Sequence, residues 1–304
     1  MTGDGFDARR RRWLTGTGGL LLAAAAGMAY AADAARGANE ASRARVVVIG
    51  GALGEIVYAL GCANTLVGAD TTCTYPGEAQ ALPKVGYQRA LSAEGLLSLR
   101  PTLILASAEA GPPSVLQRVA EAGVRLVTFA EGHDVASVRE KIEGVSRALD
   151  APGTGQTLLA GFDRAWQDTQ SSIAQTSTSR TSRAPGVLFL MNPGGTQPMV
   201  AGQHTAADAM LAYAGARNAM QGFSGYRALT PEALVAAQPD IVLTTDDALK
   251  AAGSKRALLA SAGFALTPAG KSTRVAALDA LFLLGFGPRL PQAVLALNRS
   301  LASA

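Results

Sequence analysis

The chain has 304 residues, of which 16% are charged and 5% aromatic, and a formal net charge of +4. That length suffices for two domains of ordinary size, and the Ala-, Val- and Leu-rich apolar fraction suits helices packed on buried strands. Four arginines and two aspartates lie in the first 32 residues, so the remainder carries only +2. No basic stripe with interleaved aromatics follows, which argues against a nucleic-acid partner.

The N-terminus reads as a targeting segment. Arg9 to Arg12 form a positive region, Leu20 to Ala29 a short apolar core, and Ala29-Tyr30-Ala31 an A-x-A cleavage pattern. The apolar run is short for a bilayer span, and Arg10-Arg-Arg-Trp-Leu14 is similar to a twin-arginine export signal. Residues 1–31 are therefore expected to be a signal peptide and 32–44 a disordered, Ala-rich lead-in. In an oxidising compartment Cys62 and Cys73 have two readings, a disulfide or two half-buried unpaired thiols. Cys62 lies too far past the signal to be a lipoprotein cysteine.

Folding is expected to begin at Arg45. Val46 to Ile49 is a continuous apolar run ending in Gly50-Gly51, as in a buried parallel strand. A helix over Leu53 to Leu60 and strands at Leu66–Ala69, Leu103–Ala106 and Arg125–Phe129 make an alternating α/β domain. The connection starts at Ala151-Pro152-Gly153, which should break the chain, and continues as a helix from about Thr157 to Ser171. A Ser/Thr-rich stretch, Gln175 to Ser182, follows. Then come a strand at Val187–Met191, a helix at Ala206–Ala214, and strands at Ile241–Thr244 and Val275–Leu278.

The second half repeats the first. Leu91 to Leu105 and Leu229 to Leu243 align without gaps at an offset of 138 residues. Each copy has a helix N-cap (Ser92, Thr230), then a Glu (Glu94, Glu232), then a Pro that stops the helix before a buried strand. The expected architecture is α/β: two similar Rossmann-like lobes with parallel sheets, residues 45–150 and 184–304. A long rigid linker helix in 151–183 joins them, permitting only small rigid-body movements.

Beyond these elements the residues resemble a known family, the class III periplasmic binding proteins, and within it the haem-binding component of bacterial haem ABC importers. The resemblance rests on Val67-Gly-Ala-Asp-Thr-Thr-Cys-Thr-Tyr-Pro76, Leu82-Pro-Lys-Val-Gly-Tyr-Gln-Arg-Ala-Leu91, Ala201-Gly-Gln-His-Thr-Ala-Ala-Asp-Ala-Met210, Gly225-Tyr-Arg-Ala-Leu-Thr-Pro-Glu232 and Leu283-Leu-Gly-Phe-Gly-Pro-Arg289. It implies a haem-binding cleft between the lobes, a dimeric permease as partner, a monomeric carrier and a periplasmic address. A ferric siderophore or cobalamin is the alternative ligand on the same fold.

Tyr75 is the first candidate: from the residues alone it is either an ordinary turn tyrosine before Pro76 or a ligand, and the resemblance implies that it ligates haem iron. A strand ending near Ala69 delivers its loop to the open end of the sheet, where α/β ligand sites form. A phenolate is a hard anion suited to ferric iron, and binding requires loss of a proton whose ordinary pKa is about 10. Arg227 matches a pocket arginine of the family, with a haem propionate, the iron or plain solvent as its destination. His204, before a helix, is either a haem ligand or a capping or surface residue. Tyr87 and Arg89 either reach the pocket edge or pack beneath the loop and face solvent. His133 reads as a helix cap. Where some members carry a histidine after the first strand of the second lobe, this chain has Met191-Asn192-Pro193.

At Glu94 and Glu232 a carboxylate is favoured by the helix dipole. The resemblance adds docking, one Glu per lobe meeting arginines of the two permease subunits. Enzymes find no support: there is no G-x-S-x-G elbow, P-loop or H-E-x-x-H. Two histidines are too few for an ordinary zinc or manganese site.

Overall fold

The computed structural model describes residues 44–179, 183–191, 198–260 and 263–304. The signal segment, nearly all of the lead-in and Asn192-Pro193 lie outside the described residues. Arg45–Ala304 forms one compact unit, whose described residues contain two large sheets and a two-stranded ribbon.

The first sheet is built from β1 (Val46–Ile49), β2 (Leu66–Ala69), β5 (Leu103–Ser107) and β6 (Arg125–Phe129), in the order β2-β1-β5-β6. All pairings are parallel. A two-stranded ribbon of β3 (Gly86–Tyr87) and β4 (Ala90–Leu91) stands apart from it. The second sheet contains β7 (Gly186–Met191), β8 (Met199–Ala201), β9 (Arg217–Asn218), β10 (Tyr226–Ala228), β11 (Ile241–Thr245) and β12 (Val275–Leu278). Its main path is β10-β8-β7-β11-β12, with β9 beside β7. The second lobe has the expected parallel core, β7-β11-β12, and adds β8 and β10, which run antiparallel. Those two strands are three residues each, too short for periodicity to reveal, and antiparallel edges are common on such sheets.

Alternation along the strands divides the core. Val46, Val48, Leu103 and Leu105 share one hydrophobic cluster with Val187, Phe189, Ile241 and Leu243 of the second sheet. The opposite faces bury Val47, Ile49 and Ile104 in one separate cluster and Leu188, Leu190 and Val242 in another. Such two-faced burial explains why these strands read as unbroken apolar runs.

The connecting helix is Pro152–Ser179, longer than expected at both ends. Pro152 opens the helix rather than breaking the chain, because a first-turn proline loses no intrahelical hydrogen bond. Asp150, at φ +53°, makes the turn between the preceding helix and this one. The helix is fixed to both halves. Arg139 pairs with Asp163 at 2.6 Å, the Trp166 and Tyr213 rings meet edge-on at 5.0 Å, and the Thr169 hydroxyl donates to the Pro291 carbonyl at 3.3 Å.

The repeat is visible in the capping. Ser92 Oγ accepts from the Gly95 N–H at 3.3 Å, and Thr230 Oγ1 accepts from the Ala233 N–H at 3.2 Å. His133 is not a cap. Asp134 accepts the Ser137 N–H at 2.7 Å, and the His133 ring lies edge-on to Phe286 at 5.4 Å. Aspartate accepts this bond as a charged group, so it takes the position. Cys62 and Cys73 are both free thiols.

Candidate ligand site

Tyr75 lies in the loop after β2, at the carboxyl end of a parallel sheet, where α/β proteins gather their ligand contacts. The loop hangs from Asp70, a fully buried carboxylate. Asp70 accepts from the Gly50 N–H (2.9 Å), the Thr72 N–H (3.0 Å), the Thr72 hydroxyl (3.0 Å) and the Cys73 thiol (3.2 Å). Backbone donors and a hydroxyl thus offset the cost of burying that charge. Burial raises the Cys73 thiol well above its ordinary pKa, and the Asp70 charge adds to this, so the sulfur stays a neutral donor. On the other flank Lys84 Nζ donates to the carbonyls of Cys73 and Ala79, each at 3.0 Å, and Gln80 Nε2 donates to the Thr74 carbonyl at 3.1 Å.

These bonds present Tyr75 with 45% of its surface free. One ring face is covered: the Arg289 guanidinium lies 3.5 Å from the ring centroid. Arg289 also stands over Phe282 at 4.8 Å, and its Nε donates to Glu55 Oε2 at 3.0 Å while Nη2 donates to Oε1. The Glu55 side chain is only 3% exposed. Burial raises the Glu55 pKa above its ordinary value and the Asp279 charge adds slightly, while the hydrogen bond and charge of Arg289 pull it down. Beside this contact Gly51 admits no side chain, since a Cβ would sit 2.4 Å from Leu281 Cδ1 and 2.7 Å from the Thr72 carbonyl oxygen.

A second group forms around Arg89, which ion-pairs with Glu109. Tyr87, two residues before Arg89, is exposed. Burial raises the Tyr226 phenol, Glu109 raises it further and Arg89 lowers it. Tyr226 on β10 of the second lobe therefore lies within electrostatic reach of this pair from the first lobe. The next residue, Arg227, is exposed and stacks over Phe223 at 4.7 Å. The structure thus sets Tyr226 within electrostatic reach of the Arg89–Glu109 pair, while Arg227 packs on Phe223 and Tyr75 is backed separately by Arg289.

His204 lies elsewhere in its contacts. It is exposed, takes φ +58°, and its backbone N–H donates to Asp208 at 3.1 Å. The cap of the following helix is Thr205, which accepts the Asp208 N–H at 3.1 Å. Glu94 and Glu232 are exposed in the first turns of matching helices. A cavity of about 390 Å³ runs between β6 and the Val135–Ala148 helix, and none of the candidates borders it.

Sequence reasoning missed Asp70, Glu55 and Arg289 as site residues. Asp70 had a usable signal, a carboxylate placed directly after a buried strand. Glu55 had another, a charge inside an otherwise apolar helix. Nothing in the sequence pairs Glu55 with a residue 234 positions away.

Two lobes on α/β sheets, a fixed linker helix and ligand candidates at the strand ends define a class III substrate-binding protein. The comparisons with known proteins agree. The family model described as periplasmic binding protein matches residues 46–281, and the chain belongs to that family. Members are solute carriers rather than enzymes. A solved structure of the periplasmic heme-binding protein BhuT in complex with two hemes is 60% identical, with a TM-score of 0.81 over 85% of this chain and 98% of that one. The periplasmic heme-binding protein RhuT from Roseiflexus sp. RS-1 in apo form is 40% identical, with a TM-score of 0.81 over 86% of this chain and 99% of that one. An uncharacterized ABC transporter substrate-binding lipoprotein, YvrC of Bacillus subtilis, is 28% identical over 81% of this chain and 76% of its own length.

Proposed function

We infer that this protein binds haem in the cleft between its lobes and delivers it to an ABC importer. The observation that carries the reading is an exposed tyrosine on a loop anchored by Asp70 at a strand end, in a chain 60% identical to a haem-binding protein. Tyr75 is the iron ligand. Arg227 and Arg89 supply cations for the propionates, Tyr87 lines the edge of the porphyrin, and His204 is the remaining candidate for the opposite face.

A haemin titration of the mature protein beside Tyr75→Ala tests this, read by visible absorption. The expected result is a saturable high-spin ferric spectrum in the wild type, weakened and shifted in the variant. Absence of saturable binding in the wild type would sink the haem reading and turn the search to ferric siderophores or cobalamin. The same titration across Arg227→Ala, Arg89→Ala, Tyr87→Ala and His204→Ala assigns the lesser roles, and a variant indistinguishable from wild type leaves the site.

Export and docking complete the reading. The mature chain begins at Ala32, carries lobes at 45–150 and 184–304 around the 151–183 linker, and acts as a periplasmic monomer. N-terminal sequencing and sedimentation of the exported protein check both points. Glu94 and Glu232, one per lobe, meet cations on the two permease subunits, where rim pairs set orientation more than affinity. Charge reversal at either should cut haem uptake by cells without changing haemin affinity, and normal uptake in both variants rules docking through them out.

A further inference from the structure

Resting on the assignment of Tyr75 as iron ligand, we propose that Arg289 is a positioning residue. Its guanidinium, rooted on the buried Glu55 carboxylate of the first lobe, braces the ring of the ligand. The seat of the ligand then depends on the contact between the lobes.

The geometry has three parts. Glu55 belongs to the Gly51–Ala59 helix, which follows β1, and the Tyr75 loop follows β2, so both are first-lobe elements. Arg289 comes from the second lobe, immediately before the Leu290–Ser303 helix. The guanidinium crosses between them, held by two hydrogen bonds to Glu55, with its central carbon 3.5 Å from the Tyr75 ring centroid. Phe282, at 4.8 Å, limits its freedom further.

A surface ion pair would contribute little, but this carboxylate is almost wholly withdrawn from water and its described side-chain partner is Arg289. The pair is therefore a fixed point. An exposed tyrosine on a loop would otherwise sample several ring orientations, each lost on binding iron. A planar cation against one face leaves the other face and the hydroxyl edge for the porphyrin, which is preorganisation of the ligand. Because the brace and the ligand come from different lobes, any rotation of one lobe withdraws the support. Docking on a permease that separates the lobes would loosen the iron bond at the moment of delivery.

The test compares wild type with Arg289→Gln, Arg289→Lys and the double variant Glu55→Gln/Arg289→Gln, with Tyr75→Ala alongside. Haemin is the probe, read by visible absorption, stoichiometry and the rate of haem loss to excess apomyoglobin. Removing Arg289 alone leaves Glu55 buried and unpaired, so the double variant, which carries no orphan charge, serves if the single one fails to fold. Expected are unchanged stoichiometry, a mixed spectrum in place of the tyrosine-ligated one, and haem loss faster by roughly five- to tenfold. Lysine should not restore the wild-type values, since an ammonium neither stacks flat nor grips a carboxylate at two points.

A folded double variant with wild-type spectrum and loss rate, beside a Tyr75→Ala that has lost ligation, overturns the brace and spares the haem reading. Full rescue by lysine overturns it too, reducing the contact to charge. A Tyr75→Ala with an unaltered spectrum removes the ligation reading itself, and the brace with it.

Discussion

The two lobes share a plan and differ at their edges. Both carry a central parallel core, and both use the same capped helix followed by a proline and a buried strand, at Ser92–Leu105 and Thr230–Leu243. The first lobe keeps four parallel strands and carries the candidate Tyr75 on a loop, Asp70 to Tyr75, tied down by hydrogen bonds to a buried carboxylate. The second adds an antiparallel flap, β8 and β10, and presents Tyr226 and Arg227 from a strand. A loop held at a strand end can aim one phenol at a metal. A strand at a sheet edge offers a wall of side chains instead. The two lobes thus offer similar frames that differ in what each carries at its edge.

This contrast predicts its largest effect at Asp70. Replacing it by alanine leaves the Gly50 and Thr72 N–H groups without their acceptor inside a packed region. The expected loss is about 3 kcal/mol of stability by urea unfolding, since bonds to a buried charge are among the stronger ones. Haemin affinity should fall with it, because the loop that carries Tyr75 loses its anchor. A variant with wild-type stability would mean that the first lobe does not rely on this carboxylate, and the contrast between anchored loop and strand wall would break.

How much of this the sequence disclosed depends on the range of the interaction. Val46–Ile49, Leu66–Ala69 and Val275–Leu278 were legible residue for residue, because two-faced burial writes itself as a local apolar run. The paired caps were legible because a hydroxyl three residues before its donor is also local. The antiparallel flap escaped because Met199–Ala201 is too short to show a period, and Pro152 was misread because proline punctuates both ends of helices. At the site, Tyr75 was singled out through the family resemblance, and the structure places it, exposed, on the loop after β2. The brace did not: Glu55 and Arg289 meet only after both lobes have folded, and neither has a local pattern that names the other.

The smallest effect concerns the repeat itself. Ser92 and Thr230 each accept one backbone N–H at the start of their helix, at 3.3 and 3.2 Å, and both are exposed. Ser92→Ala and Thr230→Ala should therefore each cost about 1 kcal/mol, the ordinary value of such a cap. The two losses should be close to equal and close to additive, since the sites lie in different lobes and share no partner. Chemical denaturation of the two single variants and the double reads this directly. Equal costs would show that the duplicated unit is also energetically duplicated, so that the asymmetry of the protein resides in the Tyr75 loop and the β8–β10 flap. A Thr230 variant that loses much more would place part of the second lobe's function on its capped helix, beside Glu232, and would shift the asymmetry into the repeat.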